Sequence, residues 1–258
     1  MNRPIGELFV EYDDVGLGDS VVFVRGLAED RRSWSTEMDR LETDRRLVCY
    51  DLRGHVKTTI GETVVTLDQL ATDLVDLIEI LTEPATCVGF SLGGTMVLQA
   101  AASQPELFPH AIVLGTSSVV GKAAADFYTR RIALVESGFT AQIAEAVWED
   151  TRAAVTSTTV ELGALVCYRL RAISKGTGYV NAARAMRRLH DQPLTPALSR
   201  VRCHVDVVGA ENDRFCPRKD ADILLSGLGD ATYHEVTGAG HLMTLISRTP
   251  SASSSANY

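Results

Sequence analysis

The pentapeptide Gly89-Phe90-Ser91-Leu92-Gly93 stands between an apolar run, Thr86-Cys87-Val88, and a segment with helical character that starts at Thr95. A G-x-S-x-G pattern in this setting predicts a strand that turns sharply into a helix, with the serine at the apex. The glycines lack Cβ atoms, so the strand and the helix can approach closely and hold the serine in a strained backbone. We therefore expect the Oγ atom of Ser91 to be exposed at the carboxyl edge of a sheet, beside the N–H groups of a first helical turn.

Two later segments carry the other groups that a nucleophilic serine requires. His241 follows the apolar stretch from Ala231 to Val236, and Asp213 follows Val205-Asp206-Val207-Val208. Both stretches are predicted strands, so both residues lie in loops that can reach the edge with Ser91. Base and acid that follow the serine in the order Ser, Asp, His are typical of folds with this turn. The sequence thus predicts Ser91 as nucleophile, His241 as base and Asp213 as orienting acid.

Apolar runs alternate with helical patterns along most of the chain. Several runs are unbroken, as expected for strands with both faces covered, and residues 66–81 repeat their apolar side chains at three- and four-residue spacing, which predicts a helix. The alternation predicts an α/β fold with a mostly parallel sheet flanked by helices. The predicted strands are Leu8 to Tyr12, Val21 to Val24, Leu47 to Tyr50, Thr86 to Val88, Ala111 to Leu114, Val205 to Val208 and Ala231 to Val236.

Residues 117–196 interrupt this alternation. They contain four helical patterns, separated by glycines and prolines, and no convincing strand. We expect an all-helical insertion that forms a lid over the sheet edge. The predicted organisation is a core in two parts (residues 1–116 and 197–248), a lid (residues 117–196) and a disordered tail (residues 249–258) that is rich in serine.

The substrate pocket is expected to be apolar and to lie between the lid and the nucleophile. Phe90, beside Ser91, and the lid residues Trp148 and Tyr128 are candidates for its wall. Phe127, Leu134 and Tyr168 are further lid residues that this interpretation includes. The alternative is that the lid aromatics only stabilise the lid itself.

The composition narrows the class of protein. A net charge of −8 argues against nucleic acid or an anionic membrane as partner, and no run of about eighteen apolar residues is present to span a bilayer. The five cysteines are scattered and odd in number, which indicates free thiols in a reducing, cytoplasmic setting. The histidines other than His241 lack ligand spacing and bind metal only if the fold brings them together. No phosphate-binding or dinucleotide-binding fingerprint is present, so neither metal nor cofactor is expected.

Taken together, these segments resemble the α/β-hydrolase superfamily over roughly residues 7 to 248. The resemblance extends to small bacterial esterases, to lactonases including 3-oxoadipate enol-lactonases, and to cofactor-free haloperoxidase-like members. It implies that Ser91, Asp213 and His241 form the catalytic triad, and that the backbone N–H groups of Leu27 and Leu92 form the oxyanion hole. The residues that carry it are Gly89-Phe90-Ser91-Leu92-Gly93-Gly94, Tyr50-Asp51-Leu52-Arg53-Gly54-His55, Asp213 with Pro217, and Gly238-Ala239-Gly240-His241.

The chain departs from the family pattern at three positions. Arg25-Gly26 stands where the family has His-Gly, Val56 stands where it has glycine, and Asp213 lies one residue farther from Gly209 than is usual. The last departure leaves Glu211 as an alternative acid. Arg25 has two interpretations: its guanidinium lies at the pocket mouth and binds a substrate carboxylate, or it points away and pairs with Glu29, Asp30 or Asp51.

The expected function is a serine hydrolase that cleaves a small carboxylic ester or lactone through an acyl-enzyme. A C–C bond hydrolase or a peracid-forming, haloperoxidase-like enzyme would use the same triad. A rival of another class is a small-molecule-binding or signalling protein that keeps the fold and turns over weakly. The sequence does not decide the oligomeric state.

Overall fold

Eight strands form one sheet in the computed structural model, which describes residues 1–138, 140–157 and 160–245. They are β1 Asn2–Ile5, β2 Leu8–Val15, β3 Ser20–Val24, β4 Arg46–Tyr50, β5 Thr86–Phe90, β6 His110–Leu114, β7 His204–Ala210 and β8 Ala231–Val236. Their order is β1-β2-β4-β3-β5-β6-β7-β8. The pairs β1–β2 and β2–β4 are antiparallel and the others are parallel, so most strands end at the same edge.

Helices cover both faces of this sheet because alternate strand residues point to opposite sides. Val22 and Val24 of β3 belong to the larger apolar cluster. This cluster also includes buried residues of the helices Leu67–Leu81, Leu92–Ser103 and Arg218–Gly227. Phe23 belongs to a second cluster with Trp34 and Met38. The helices are α1 Ser35–Leu41, α2 Leu67–Leu81, α3 Leu92–Ser103, α4 Lys122–Ser137, α5 Thr140–Ala154, α6 Leu162–Ile173, α7 Thr177–Arg188 and α8 Arg218–Gly227.

The predicted fold class, a mostly parallel sheet flanked by helices, is confirmed. The helix predicted over residues 66–81 is α2, and the Thr66 side chain caps it by accepting a hydrogen bond from the Gln69 N–H. Strand β1 was not predicted, because it has four residues, includes Pro4 and buries only Ile5. Such a short, exposed edge strand leaves no apolar pattern in the sequence.

Helices α4 to α7 lie between β6 and β7, as the helical patterns of the insertion predicted. Among the described residues of that insertion, none is in a strand. The division into domains at residues 116/117 and 196/197 stays a prediction, and the predicted tail at 249–258 lies outside the described residues. All five cysteines are free thiols. Within the described ranges, no helix has the length and apolarity needed to cross a membrane.

Candidate active site

Ser91 occupies the turn between the last residue of β5 and the first residue of α3. Its backbone has φ 52° and ψ −118°, a strained combination for a residue with a side chain. The N–H of Ser91 donates to the Leu114 carbonyl oxygen at 2.8 Å, which extends the pairing of β5 with β6 to the apex of the turn. The sharp strand-to-helix turn that the pentapeptide predicts is therefore present.

The glycines that flank Ser91 permit this turn because backbone atoms meet there. A Cβ atom placed on Gly89 would lie 2.6 Å from the Gly93 carbonyl carbon, and one placed on Gly93 would overlap the carbonyl oxygen of Val24. The start of α3 is thus packed directly against the backbone at the end of β3. No side chain can be accommodated at Gly93 unless one of these elements moves.

We expect Gly93→Ala to lower the free energy of unfolding by roughly 2–3 kcal/mol, because the new methyl group overpacks a backbone contact. Gly163→Ala is the matched control: Gly163 is exposed in α6, a Cβ there meets nothing within 4 Å, and alanine favours helix. The control is expected to be neutral or to stabilise the protein by up to about 1 kcal/mol. Urea unfolding of both variants measures the difference, and equal stabilities would contradict the close approach at Gly93.

His241 connects Ser91 with Asp213. Its Nε2 lies 3.1 Å from Ser91 Oγ, and its Nδ1 lies 2.7 Å from Asp213 Oδ2. His241 and Asp213 are both buried, and the three residues come from three separate loops that follow β5, β7 and β8. The carboxylate on one ring nitrogen leaves the other nitrogen free to accept a proton from the serine. The structure therefore brings all three predicted triad residues into one hydrogen-bonded chain.

Asp213, rather than Glu211, is the carboxylate in contact with His241. Strand β7 extends one residue past Gly209, so the additional residue before Asp213 is part of the strand. Asp213 Oδ1 accepts hydrogen bonds from the N–H groups of Phe215 and Cys216, both at 2.8 Å. Glu211 Oε2 accepts instead from the Gly238 N–H at 2.7 Å. Glu211 thus joins its own loop to the loop that carries His241.

Cys216 lies in the same loop as Asp213 but is a poor nucleophile. Burial raises the pKa of its thiol well above the usual range, and the charges of Asp213 and Asp220 raise it further. A thiol is reactive as the thiolate. Cys216 therefore contributes its backbone N–H to Asp213 rather than a reactive sulfur.

The two predicted oxyanion donors lie in separate segments near Ser91. Leu92 is the first residue of α3, where N–H groups have no carbonyl one turn back to bind. Leu27 lines the same cavity as Ser91 and lies within a turn in which the Gly26 N–H donates to Glu29 Oε2 at 3.1 Å. The assignment of the Leu27 and Leu92 N–H groups as an oxyanion hole stays a prediction.

A cavity of about 560 Å³ opens at Ser91 and His241. Helices α4 to α7 of the insertion and the loop after β7 both contribute to its wall. Phe90 and Phe215 face the imidazole of His241, with ring centroids 5.0 Å and 5.1 Å from that of this ring. Phe127 and Tyr128 line the cavity as well. The predicted positions of Phe90 and Tyr128 in the pocket wall thus agree with the structure, and Phe215 is an additional aromatic residue.

Arg169 of α6 also lines the cavity, and the sequence patterns did not single it out. Its Nε atom is buried and has no hydrogen-bond partner in the described part of the chain. The cavity's Asp150 pairs with Arg131 at 2.7 Å instead. The available signal was periodicity: Arg169 follows the buried Leu165 by four residues, which places a cation on the buried side of the helix.

Arg25 does not lie at the pocket mouth, which corrects the first interpretation of this residue. Its side chain is fully buried and is not part of the cavity wall; the guanidinium donates to the Gly26 carbonyl oxygen at 2.9 Å. The second interpretation holds in that the side chain points away from the cavity, but no described carboxylate lies within ion-pair distance of its guanidinium. Burial raises the pKa of Asp51, and the Arg25 charge is the strongest influence that opposes this shift. Arg25 follows the central strand β3, so the sheet and its covering loops enclose its side chain.

Trp148 is likewise outside the cavity. Its side chain is 44% exposed, and it is absent from the residues that line the pocket. The buried positions of α5 are Ala146, Val147, Thr151 and Ala154, so this helix turns Trp148 toward solvent. The sequence predicted the helix correctly, but not which side of it meets the core.

Comparison with known proteins places this geometry in a family. A sequence model of the alpha/beta hydrolase family matches residues 21–251. The chain is 27% identical over 248 residues to 3-oxoadipate enol-lactonase 2 of Acinetobacter baylyi, covering 92% of this chain and 87% of that protein. A shorter match, 32% identical over 130 residues and 49% of each chain, joins it to a Mycobacterium tuberculosis protein provisionally named non-heme bromoperoxidase BpoC.

Solved structures agree on the fold. The crystal structure of the enol-lactonase from Burkholderia xenovorans superimposes with a TM-score of 0.83 at 19% identity, covering 94% of this chain and 93% of that one. The family match spans the sheet from Val21 onward, the insertion and the three residues predicted as the triad. The chain therefore belongs to the alpha/beta hydrolase family, and it is similar to enol-lactonases.

Proposed function

We propose that this hydrolase cleaves a small carboxylic ester or lactone through an acyl-enzyme formed on Ser91. The observation that carries the proposal is the chain of contacts Ser91 Oγ–His241 Nε2 at 3.1 Å and His241 Nδ1–Asp213 Oδ2 at 2.7 Å. A serine within hydrogen-bond reach of an oriented base is the arrangement required for nucleophilic catalysis at neutral pH.

The reaction follows from the positions of these atoms. His241 Nε2 accepts the Ser91 proton as Oγ attacks the substrate carbonyl carbon, and the imidazolium that forms is stabilised by Asp213. The same proton is then donated to the leaving oxygen, which departs as an alcohol or, in a lactone, stays attached as a free hydroxyl or enol. Water, activated by His241, hydrolyses the acyl-enzyme and restores Ser91.

The tetrahedral intermediate carries a negative charge on the former carbonyl oxygen. We assign its stabilisation to the backbone N–H groups of Leu27 and Leu92, one from the turn after β3 and one from the first turn of α3. Removing one such donor costs roughly 3–4 kcal/mol of transition-state stabilisation in comparable sites. Because these donors are backbone groups, side-chain substitutions at the two leucines test the pocket and not the donors.

The cavity supports a small substrate that carries a carboxylate. Its volume of about 560 Å³ is in the range of small-molecule sites, and its aromatic wall suits an apolar acyl part. Burial raises the pKa of the nearby Glu29, and Arg169 exerts the strongest opposing influence. Arg169 lines the cavity and its Nε atom has no hydrogen-bond partner among the described residues, so its guanidinium can bind a substrate carboxylate. The enol-lactonase similarity agrees with this assignment.

We expect Arg169→Met to raise KM for a carboxylate-bearing ester by about 10- to 100-fold, the loss expected for a charged hydrogen bond. KM for a neutral ester of equal size should change less than about threefold, because methionine keeps most of the side-chain volume. Steady-state kinetics with p-nitrophenyl hydrogen succinate and p-nitrophenyl butyrate measure the two values.

Arg171→Met provides the matched control for this experiment. Arg171 lies on the same helix, is exposed and does not line the cavity. The control should leave both KM values close to those of the wild type. An Arg169→Met variant that changes KM equally for both esters would assign this arginine to structure and return the pocket to apolar recognition.

A peracid-forming reaction is the second candidate, and the similarity to the protein provisionally named non-heme bromoperoxidase BpoC favours it. In that reaction hydrogen peroxide, in place of water, attacks the same acyl-enzyme and releases a peracid. Adding hydrogen peroxide to the ester assay and measuring peracid against free acid distinguishes the two outcomes. A protein that binds esters but shows no Ser91-dependent turnover would be a binding member of the family.

A further inference from the structure

Three histidines and an aspartate meet on one face of the sheet, at β6, β7 and β8. His110 and His204 are the first residues of their strands and are paired across β6 and β7, and His234 is paired with Val208 across β7 and β8. Asp206 lies on the same face of β7, two residues after His204. These strands are parallel, so His110 and His204 lie at the end of the sheet opposite to the loops that carry the triad. These histidines lack ligand-type spacing in the sequence, which predicted no metal unless the fold brought them together, and the fold does bring them together.

The ring nitrogens converge on one carboxylate. His110 Nε2 lies 2.8 Å from Asp206 Oδ2, and His234 Nε2 lies 2.7 Å from Asp206 Oδ1. His204 Nε2 lies 3.7 Å from Asp206 Oδ1. His110, His204 and Asp206 each offer one ligand atom, and these three atoms lie within 4.8 Å of one another. Small side-chain rotations bring three such atoms to bonding distance of one ion, at about 2.0–2.2 Å for zinc.

A further carboxylate fixes the orientation of His204. Asp230 Oδ1 lies 2.8 Å from His204 Nδ1, which leaves Nε2 as the ring nitrogen that faces Asp206. A carboxylate commonly accepts a hydrogen bond from the ring nitrogen of a metal-binding histidine that does not bind the metal, because this contact sets the tautomer and increases ligand basicity.

From this geometry we propose a binding site for a divalent transition metal of the zinc type, with His110 Nε2, His204 Nε2 and an Asp206 carboxylate oxygen as ligands. Imidazole and carboxylate ligands suit Zn²⁺, Co²⁺ and Ni²⁺. Three protein ligands leave a fourth position for water. The side chains of His110, His204 and Asp206 are 35%, 37% and 24% exposed, so an ion reaches the site from solvent. His234 holds the second oxygen of Asp206 and orients the carboxylate.

Zn²⁺ titration against a chromogenic chelator, with protein first dialysed against EDTA, tests the proposal. One Zn²⁺ per chain is expected, and Co²⁺ should give the visible absorption of a tetrahedral site. His204→Gln and His110→Gln should each weaken binding at least about tenfold, and Asp230→Asn should weaken it by roughly 10- to 100-fold because the carboxylate contact to His204 Nδ1 is lost. His190→Gln is the matched control, since His190 contacts the Val120 carbonyl oxygen in another part of the molecule.

Ser91→Ala should bind Zn²⁺ as tightly as the wild type, so the result does not depend on whether the protein is an ester hydrolase. Circular dichroism confirms that the histidine variants are folded. Wild-type protein without saturable Zn²⁺ binding would overturn the proposal. So would equal affinities for the His204→Gln, His110→Gln and His190→Gln variants, which would place the ion elsewhere.

Discussion

The Ser91→Ala variant is expected to hydrolyse a small p-nitrophenyl ester about a millionfold more slowly than the wild-type protein. The size of the effect follows from the contact between Ser91 Oγ and His241 Nε2. Without the hydroxyl group, no acyl-enzyme forms, and the oriented imidazole has no nucleophile to activate. Only binding and oxyanion stabilisation then remain, and the residual rate approaches the detection limit of a p-nitrophenol assay.

Ser117→Ala is the matched control, because Ser117 lines the same cavity but donates its hydrogen bond to the Val119 carbonyl oxygen at 2.7 Å. That variant should keep its activity within about tenfold of the wild type. Intact-mass analysis after treatment with a fluorophosphonate gives an independent readout: wild type and Ser117→Ala gain one adduct and Ser91→Ala gains none. Undiminished ester hydrolysis by Ser91→Ala would exclude the acyl-enzyme mechanism.

The candidate catalytic residues could be predicted from the sequence because each is set by local chain geometry. The turn at Ser91 requires glycines within two residues, and Gly93 meets the Val24 carbonyl oxygen without room for a side chain. Apolar runs without alternation marked the parallel strands, and the loops after them carry Asp213 and His241. A pattern within about ten residues was sufficient in each case.

The residues of the pocket wall were harder to predict, because they depend on which side of each helix or strand faces the cavity. Trp148 lies on a correctly predicted helix but points to solvent, and Arg25 is enclosed within the core. Arg169 lines the cavity only through the packing of α6 against α5 and against the loop after β3. The cluster of His110 and Asp206 could not be predicted for a related reason. These residues are 96 positions apart, and one sequence does not indicate the register between their strands.

The Asp213→Asn variant is expected to lower kcat by about 10⁴-fold. Asparagine has nearly the same shape, and its amide oxygen can still accept from the Phe215 and Cys216 N–H groups, which lie 2.8 Å from Asp213 Oδ1. Its NH₂ group then faces His241 Nδ1, so the ring places its hydrogen on Nε2 and cannot accept the proton of Ser91. The loss of charge also removes the stabilisation of the imidazolium. Ester kinetics with circular dichroism as a folding control measure the effect.

Glu211→Gln is the control that decides between the two acids of this loop. The glutamine oxygen can keep the hydrogen bond that Glu211 Oε2 accepts from the Gly238 N–H, so kcat should stay within about tenfold of the wild type. The expected difference between the two variants is therefore about a thousandfold. Loss of activity in Glu211→Gln with activity retained in Asp213→Asn would show that the additional residue after Gly209 transfers the orienting role to Glu211. In that case the loop would have to rotate in solution, and the 2.7 Å contact between His241 and Asp213 would not describe the active protein.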